Sequence, residues 1–352
     1  MQRYEYIDIA KGIGILLVVW AHILLVGVSH RVIYAFHMPL FFMISGMLFR
    51  REKYNNFCDF LKKRAKRLLV PFLCYSVATW AIWTIFRFLR HDEVVSYWDP
   101  LLQTVIAKGS GAYMVHNSAL WFIPCLFITE IIYFSFSTCK NLIKIIISIT
   151  CATISFGLGH YFSDDWWFLL PWNFDAALIA VLFYCIGNVF SSKISNAKVI
   201  GFSKSHIMLM TCFLIVLFGA LYWSAMEYGE CSMGSSSYQC NGFIFVARAI
   251  IGCGACLILS IIVGFLSEKN IVKSYLQVEG RRSLDIMSIH IPVKGIIILG
   301  ISILIHKTSD EISNSLPYSA IAFILTMFVV DILVNIISKG KALYNTRLHS
   351  SL

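Results

Sequence analysis

The chain has 352 residues, 58% of them hydrophobic and 14% charged, with a mean hydropathy of +0.75. That composition excludes an ordinary soluble domain and points to a polytopic membrane protein. The net charge of +10 follows membrane topology and gives a nucleic-acid-binding reading little support.

Apolar stretches long enough to cross a hydrocarbon core of about 30 Å fall near residues 9–28, 33–49, 68–89, 119–137, 142–160, 174–191, 206–224, 243–265, 284–304 and 318–338. The expected fold is all-α, a bundle of about ten transmembrane helices. It forms a single integral domain over residues 1–352, with no appended soluble domain and no internal repeat. Of the Lys and Arg, 22 lie at the amino terminus, at 50–67, 138–144, 192–205 and 266–283, and in the tail; the opposite connections hold five. Because such residues accumulate in cytoplasmic loops, both termini are expected to be cytoplasmic.

The first span carries Asp8, Lys11 and His22. At about 100° per residue, eleven steps return a helix to within about 20° of its starting direction, so Lys11 and His22 share a face, separated by roughly 16 Å. An Asp8 to Lys11 ion pair and a packed imidazole would explain these residues without chemistry. Ionisable groups inside a membrane helix are costly, however, and imidazole is the side chain best suited to take a proton near neutral pH.

The second span is drawn after a short outer turn and carries His37, Pro39, Ser45 and Gly46. The turn makes spans one and two antiparallel neighbours, with His37 within reach of His22. Pro39 suits a first helical turn, and Ser45 and Gly46 suit close helix packing. Residues 50–67 hold eight cations, most of them explained as topology anchors. Among them Arg64 and Arg67 share a helical face at the membrane edge, an arrangement that also suits a multiply phosphorylated ligand.

Further along, Trp98, Trp166, Trp167 and Trp172 mark membrane interfaces, and Asp164 and Asp165 read as solvated loop charges. Cys231 and Cys240 lie in a connection without Lys or Arg, where an oxidising compartment would permit a disulfide. Glu130, Arg248, Asp285, His290, Lys294 and Asp331 fall within spans. Together they imply a polar interior, with a Lys294 to Asp331 pair as one geometric arrangement.

These motifs, in this order, resemble the acyltransferase 3 family of integral membrane acyltransferases, in its branch of fucose 4-O-acetylase type. A basic residue, ten intervening residues and a His match Lys11 and His22. The run His37-Met-Pro-Leu-Phe-Phe-Met-Ile-Ser-Gly46 resembles the second-helix motif, Arg64 and Arg67 followed by Pro71 match Arg-x-x-Arg, and Leu120-Trp121-Phe122 resembles a Leu-Trp-Phe segment. Residues 283–292, with His290 and with Met287 in place of the usual aromatic, resemble the late Tyr-x-x-His-x-Pro region. The resemblance covers essentially the whole chain. It implies transfer of an acyl group, usually acetyl, from cytoplasmic acetyl-CoA to a hydroxyl of an envelope glycan such as O-antigen, capsule, exopolysaccharide or a related lipid-linked sugar.

The resulting expectation is a multi-pass enzyme of a bacterial cytoplasmic (inner) membrane that uses no metal. His22 acts as general base with His37 beside it, and Lys11, Arg64 and Arg67 hold the acyl-CoA phosphates. Asp8, Ser45, Trp121 and His290 support them, and the oligomeric state, homo-oligomer included, stays open. The alternatives are a transporter or flippase of a lipid-linked sugar or small solute, which would call for inverted repeats or broken helices in matching halves, and a non-catalytic scaffold.

Overall fold

A computed structural model describes residues 5–109, 113–162, 170–196, 204–234, 237–238, 241–267 and 269–350. Helix α1 (Glu5–Ile23) and helix α2 (Val28–Leu48) form an antiparallel hairpin. A 3₁₀ turn at Arg51–Lys53 leads to α3 (Phe57–Leu89), whose N-cap Asn56 accepts from the Asp59 amide. After the short α4 (Asp99–Leu102), a 3₁₀ turn at Ser118–Trp121 runs into α5 (Phe122–Phe136). Then come α6 (Asn141–Phe162), α7 (Phe174–Asn196) and α8 (Lys204–Glu227). Strands β1 (Cys231–Ser232) and β2 (Ser237–Tyr238) pair antiparallel before α9 (Gly242–Gly264). An amphipathic α10 (Ile271–Arg281), α11 (Ser283–Ile305), α12 (Ser309–Ser313) and α13 (Leu316–Ser350) complete the chain.

Among the described residues, ten helices are long and apolar enough to cross a membrane, in the order the hydropathy pattern predicts. The protein is a multi-pass membrane helix bundle. Trp166, Trp167, Asp164 and Asp165 lie outside the described residues.

The first hairpin differs from its expected outline. Helix α1 ends at Ile23 rather than at residue 28, and α2 starts at Val28 rather than at 33. The reversal uses Gly27 at φ +94°, in the region only glycine enters cheaply. Hydropathy alone does not reveal it, because Leu24, Leu25 and Val26 are apolar. His22 therefore occupies the last turn of α1, and Pro39 sits midway along α2 instead of in its first turn.

Helices α1, α2, α5 and α7 are the most buried spans, while α6 and α8 are peripheral. Two backbone-to-backbone approaches hold the centre. A Cβ on Gly46 would stand 1.9 Å from the Tyr184 carbonyl oxygen, and one on Gly187 would stand 1.9 Å from that of Met43, so α2 and α7 meet with no side chain between them. Close packing, the structural reading of the Ser45-Gly46 step, is the role Gly46 plays. Gly12 and Gly280 do the same for α1 and α10, where added Cβ atoms would lie 2.1 Å from the Leu276 oxygen and 1.7 Å from the Asp8 oxygen.

Buried charges are tied to partners. Arg64 on α3 makes a two-point ion pair with Glu130 on α5. Lys108 pairs with Asp175 at 3.0 Å, and the Tyr75 hydroxyl donates to Asp285 at 2.6 Å. Arg248 acts structurally, donating to the Gly229 carbonyl at 3.0 Å and the Arg31 carbonyl at 3.3 Å, and so fastens the connection before β1 to the start of α2. Cys231 is disulfide-bonded, whereas Cys240 lies outside the described residues.

Candidate active site

Three histidines converge where α1, α2 and α11 meet. The His22 and His290 rings are edge to face, with centroids 5.0 Å apart and planes at 72°. Tyr34 stands 6.3 Å from His22 and 4.9 Å from His37. The contact between His22 and His37 thus runs through a phenol ring, and the direct neighbour of His22 is His290. His30 extends the row, stacking on Tyr34 at 4.2 Å and lying 3.6 Å from the Glu230 carboxylate.

Each of the three converging imidazoles is held the same way. His22 Nδ1 lies 2.7 Å from the Val18 carbonyl oxygen, His37 Nδ1 is 2.8 Å from that of Ile33, and His290 Nδ1 is 2.8 Å from that of Met287. A carbonyl oxygen only accepts, so Nδ1 carries the proton and Nε2 keeps its lone pair in the neutral ring. The helix geometry, with side chains leaning back toward the preceding turn, makes this bond local and cheap. His290 is fully buried and its Nε2 has no hydrogen-bond partner.

Lys294, one turn beyond His290 on α11, donates to the carbonyl oxygen of His22 at 2.6 Å. Because α1 ends at Ile23, that carbonyl lacks the donor a continuing helix would give it. The ammonium caps the helix at the end that carries partial negative charge. The Lys294 to Asp331 pair is therefore not formed: Asp331 accepts from the Tyr275 hydroxyl at 3.4 Å and adjoins Glu279.

The connection between α4 and α5 closes over this region. Asn117 donates to the Ser288 carbonyl at 2.6 Å, and His116 beside it is buried, with neither ring nitrogen hydrogen-bonded. Burial pushes the His116 pKa down to about 4 and keeps the ring neutral. Trp121 packs against Gly109 and Gly234, where added Cβ atoms would stand 2.7 and 3.0 Å from its indole; it shapes this closure. Ser45 is partly buried on α2.

The basic end is less united. Lys11 lies 3.5 Å from Asp8 Oδ1, the local pair expected from their spacing. Helix α3 packs on α5 and α11 rather than along α1. Arg64 is committed to Glu130 in a nearly enclosed pair, 13% and 3% exposed, while Arg67 one turn later is exposed. From the sequence alone His290 is a supporting residue and Lys294 the ion-pair partner of Asp331. The available signal is the four-residue step from His290 to Lys294, which puts two polar groups on one face of an otherwise apolar helix.

A family model described as an acyltransferase domain matches residues 4–335. The nodulation protein NolL of Mesorhizobium japonicum is 27% identical over 235 residues, which make up 63% of this chain and 57% of that protein. The chain thus aligns with little more than half of that relative's length. No solved structure matches. With a match covering nearly the whole chain and its ten membrane helices, the protein belongs to the acyltransferase 3 family.

Proposed function

We propose that this protein is a membrane O-acetyltransferase that moves an acetyl group from cytoplasmic acetyl-CoA to a hydroxyl of an envelope glycan, at a bacterial inner membrane. The observation that carries the reading is the pair of Nδ1-anchored imidazoles, His22 and His290, 5.0 Å apart with Lys294 at their side.

His22 Nε2 takes the proton of the acceptor hydroxyl as its oxygen attacks the thioester carbonyl. The tetrahedral oxyanion forms near the Lys294 ammonium, which offsets its charge. Collapse expels the CoA thiolate, which recovers the proton from the His22 imidazolium. His290 fixes the His22 ring and lends a second basic nitrogen, and Tyr34 links the pair to His37.

At the basic end, Lys11 and Arg67 bind the phosphates of acetyl-CoA. Arg64, gripped by Glu130, fixes the helix that carries Arg67. The separation of about 16 Å between Lys11 and His22 along α1 is similar to the reach of an extended pantetheine arm, on the order of 15–20 Å. Membranes containing the protein, supplied with acetyl-labelled acetyl-CoA, should place label in the glycan fraction. Label confined to the donor and its hydrolysis product would overturn the reading.

A further inference from the structure

The end of the bundle opposite the basic loops is poor in cations, yet Arg87 and Arg90 close α3 there. They flank a cleft of about 260 Å³ between α3 and α11. Lys294, His116 and Trp83 line it together with the apolar Phe86 and Ile291. Three features of this cleft call for a ligand.

The first is charge. Asp92 accepts from Arg87 at 2.8 Å and lies 3.6 Å from Arg90. One carboxylate gathers two guanidinium groups and balances only one of them, and Lys294 adds a third basic group to the lining. The second is a buried ring with nothing to bond: His116, 2% exposed, lines the cleft with both nitrogens unpartnered. A polar group in that state gains from a hydroxyl that donates or accepts. The third is position. Ile85, Phe88 and Leu89 on the same stretch of α3 are exposed and apolar, so the cleft adjoins a surface suited to lipid chains. One of its lining residues, Lys294, is also the side chain that donates to the His22 carbonyl.

We infer that this cleft binds the acceptor as a sugar phosphate carried on a lipid chain. Arg87 and Arg90 take the phosphate, since guanidinium forks match phosphate oxygens. The chain lies along the apolar flank of α3, Trp83 covers a sugar face, and His116 reads a hydroxyl. The sugar beyond the phosphate then reaches Lys294 and the histidine pair. The inference rests on the proposed transferase reading for the direction of approach, and its test needs no acyl donor.

Binding of tritiated farnesyl phosphate to the full-length protein in phosphatidylcholine nanodiscs is the measurement. Saturable binding is expected, with unlabelled farnesyl phosphate competing at least about tenfold better than farnesol or inorganic phosphate. The double variant R87Q/R90Q should weaken binding by about tenfold or more at an unchanged melting temperature. Ile291→Trp, which fills the cleft, should abolish it. Equal competition by farnesol, wild-type binding in either variant, or complete displacement by phosphatidylglycerol in the nanodisc would overturn the assignment, the last by reducing the site to a general contact with anionic lipid. A protein that binds farnesyl phosphate but transfers no acetyl group would refute the transferase reading and leave the cleft assigned.

Discussion

The imidazole of His22, from the last turn of α1, packs edge to face on that of His290, 268 residues later in the chain, with ring centroids 5.0 Å apart. Each Nδ1 is bound to a carbonyl of its own helix, which leaves Nε2 as the unprotonated nitrogen of each neutral ring. If the pair works as a unit, changing His290 to Phe should keep the buried ring and membrane insertion while lowering kcat by about 100-fold, within the usual range for a proton-transfer group. The KM for acetyl-CoA should not move. Steady-state kinetics on purified protein decides it, and full kcat in the Phe variant would leave His290 a packing residue.

Lys294 has two roles that a substitution can separate. Met at this position keeps most of the stem and removes the charge, so α1 loses a C-terminal cation worth about 0.3–1 kcal/mol, and the oxyanion loses a donor worth about 2.7–4 kcal/mol. The predicted result is a small drop in thermal midpoint with a loss of roughly 100-fold or more in kcat. Equal modest losses in both would restrict Lys294 to capping.

Arg64 and Arg67 are predicted to fail in different ways. Removing Glu130 as Glu130→Leu strands the enclosed Arg64 and should destabilise the bundle by about 3–5 kcal/mol, read as aggregation on heating in detergent. Arg67→Glu, at an exposed position, should leave the melting temperature alone and raise the KM for acetyl-CoA about tenfold or more. An unchanged KM would return Arg67 to the role of a topology anchor.

Glu279, on α10 outside the spans, has its pKa pushed up to about 8, first by burial and then by the Asp331 carboxylate. The folded protein keeps this proton over a range where the unfolded chain, near the ordinary carboxylate value of about 4.3, has released it. Stability should therefore fall as pH rises between about 5 and 8. Glu279→Gln has no such proton to lose. Its melting temperature should vary less with pH across that window and exceed the wild-type value at pH 8; parallel curves would contradict the burial argument.

The spans were legible because length and apolarity alone define a membrane helix, and the Lys11 and His22 face followed from helical period. The reversal at Gly27 was not, since a left-handed glycine among apolar residues leaves no hydropathy signal. Contacts between distant segments were legible only as unmet needs: Glu130, Arg248 and Lys294 each required a partner, but Arg64, the Gly229 carbonyl and the His22 carbonyl are set by helix packing. His290 was visible as a motif, and its distance to His22 was not. The cleft that Arg87 and Arg90 help to line was equally hidden, because its lining comes from two helices and a connection far apart in the chain.

The role of His22 as general base is tested by label transfer from acetyl-CoA to the glycan fraction, with wild type and His22→Ala compared at equal membrane content. The variant is expected to insert, keep wild-type acetyl-CoA binding and lose transfer by about 100-fold to 10,000-fold. Transfer at the wild-type rate in His22→Ala would contradict a general-base role for His22.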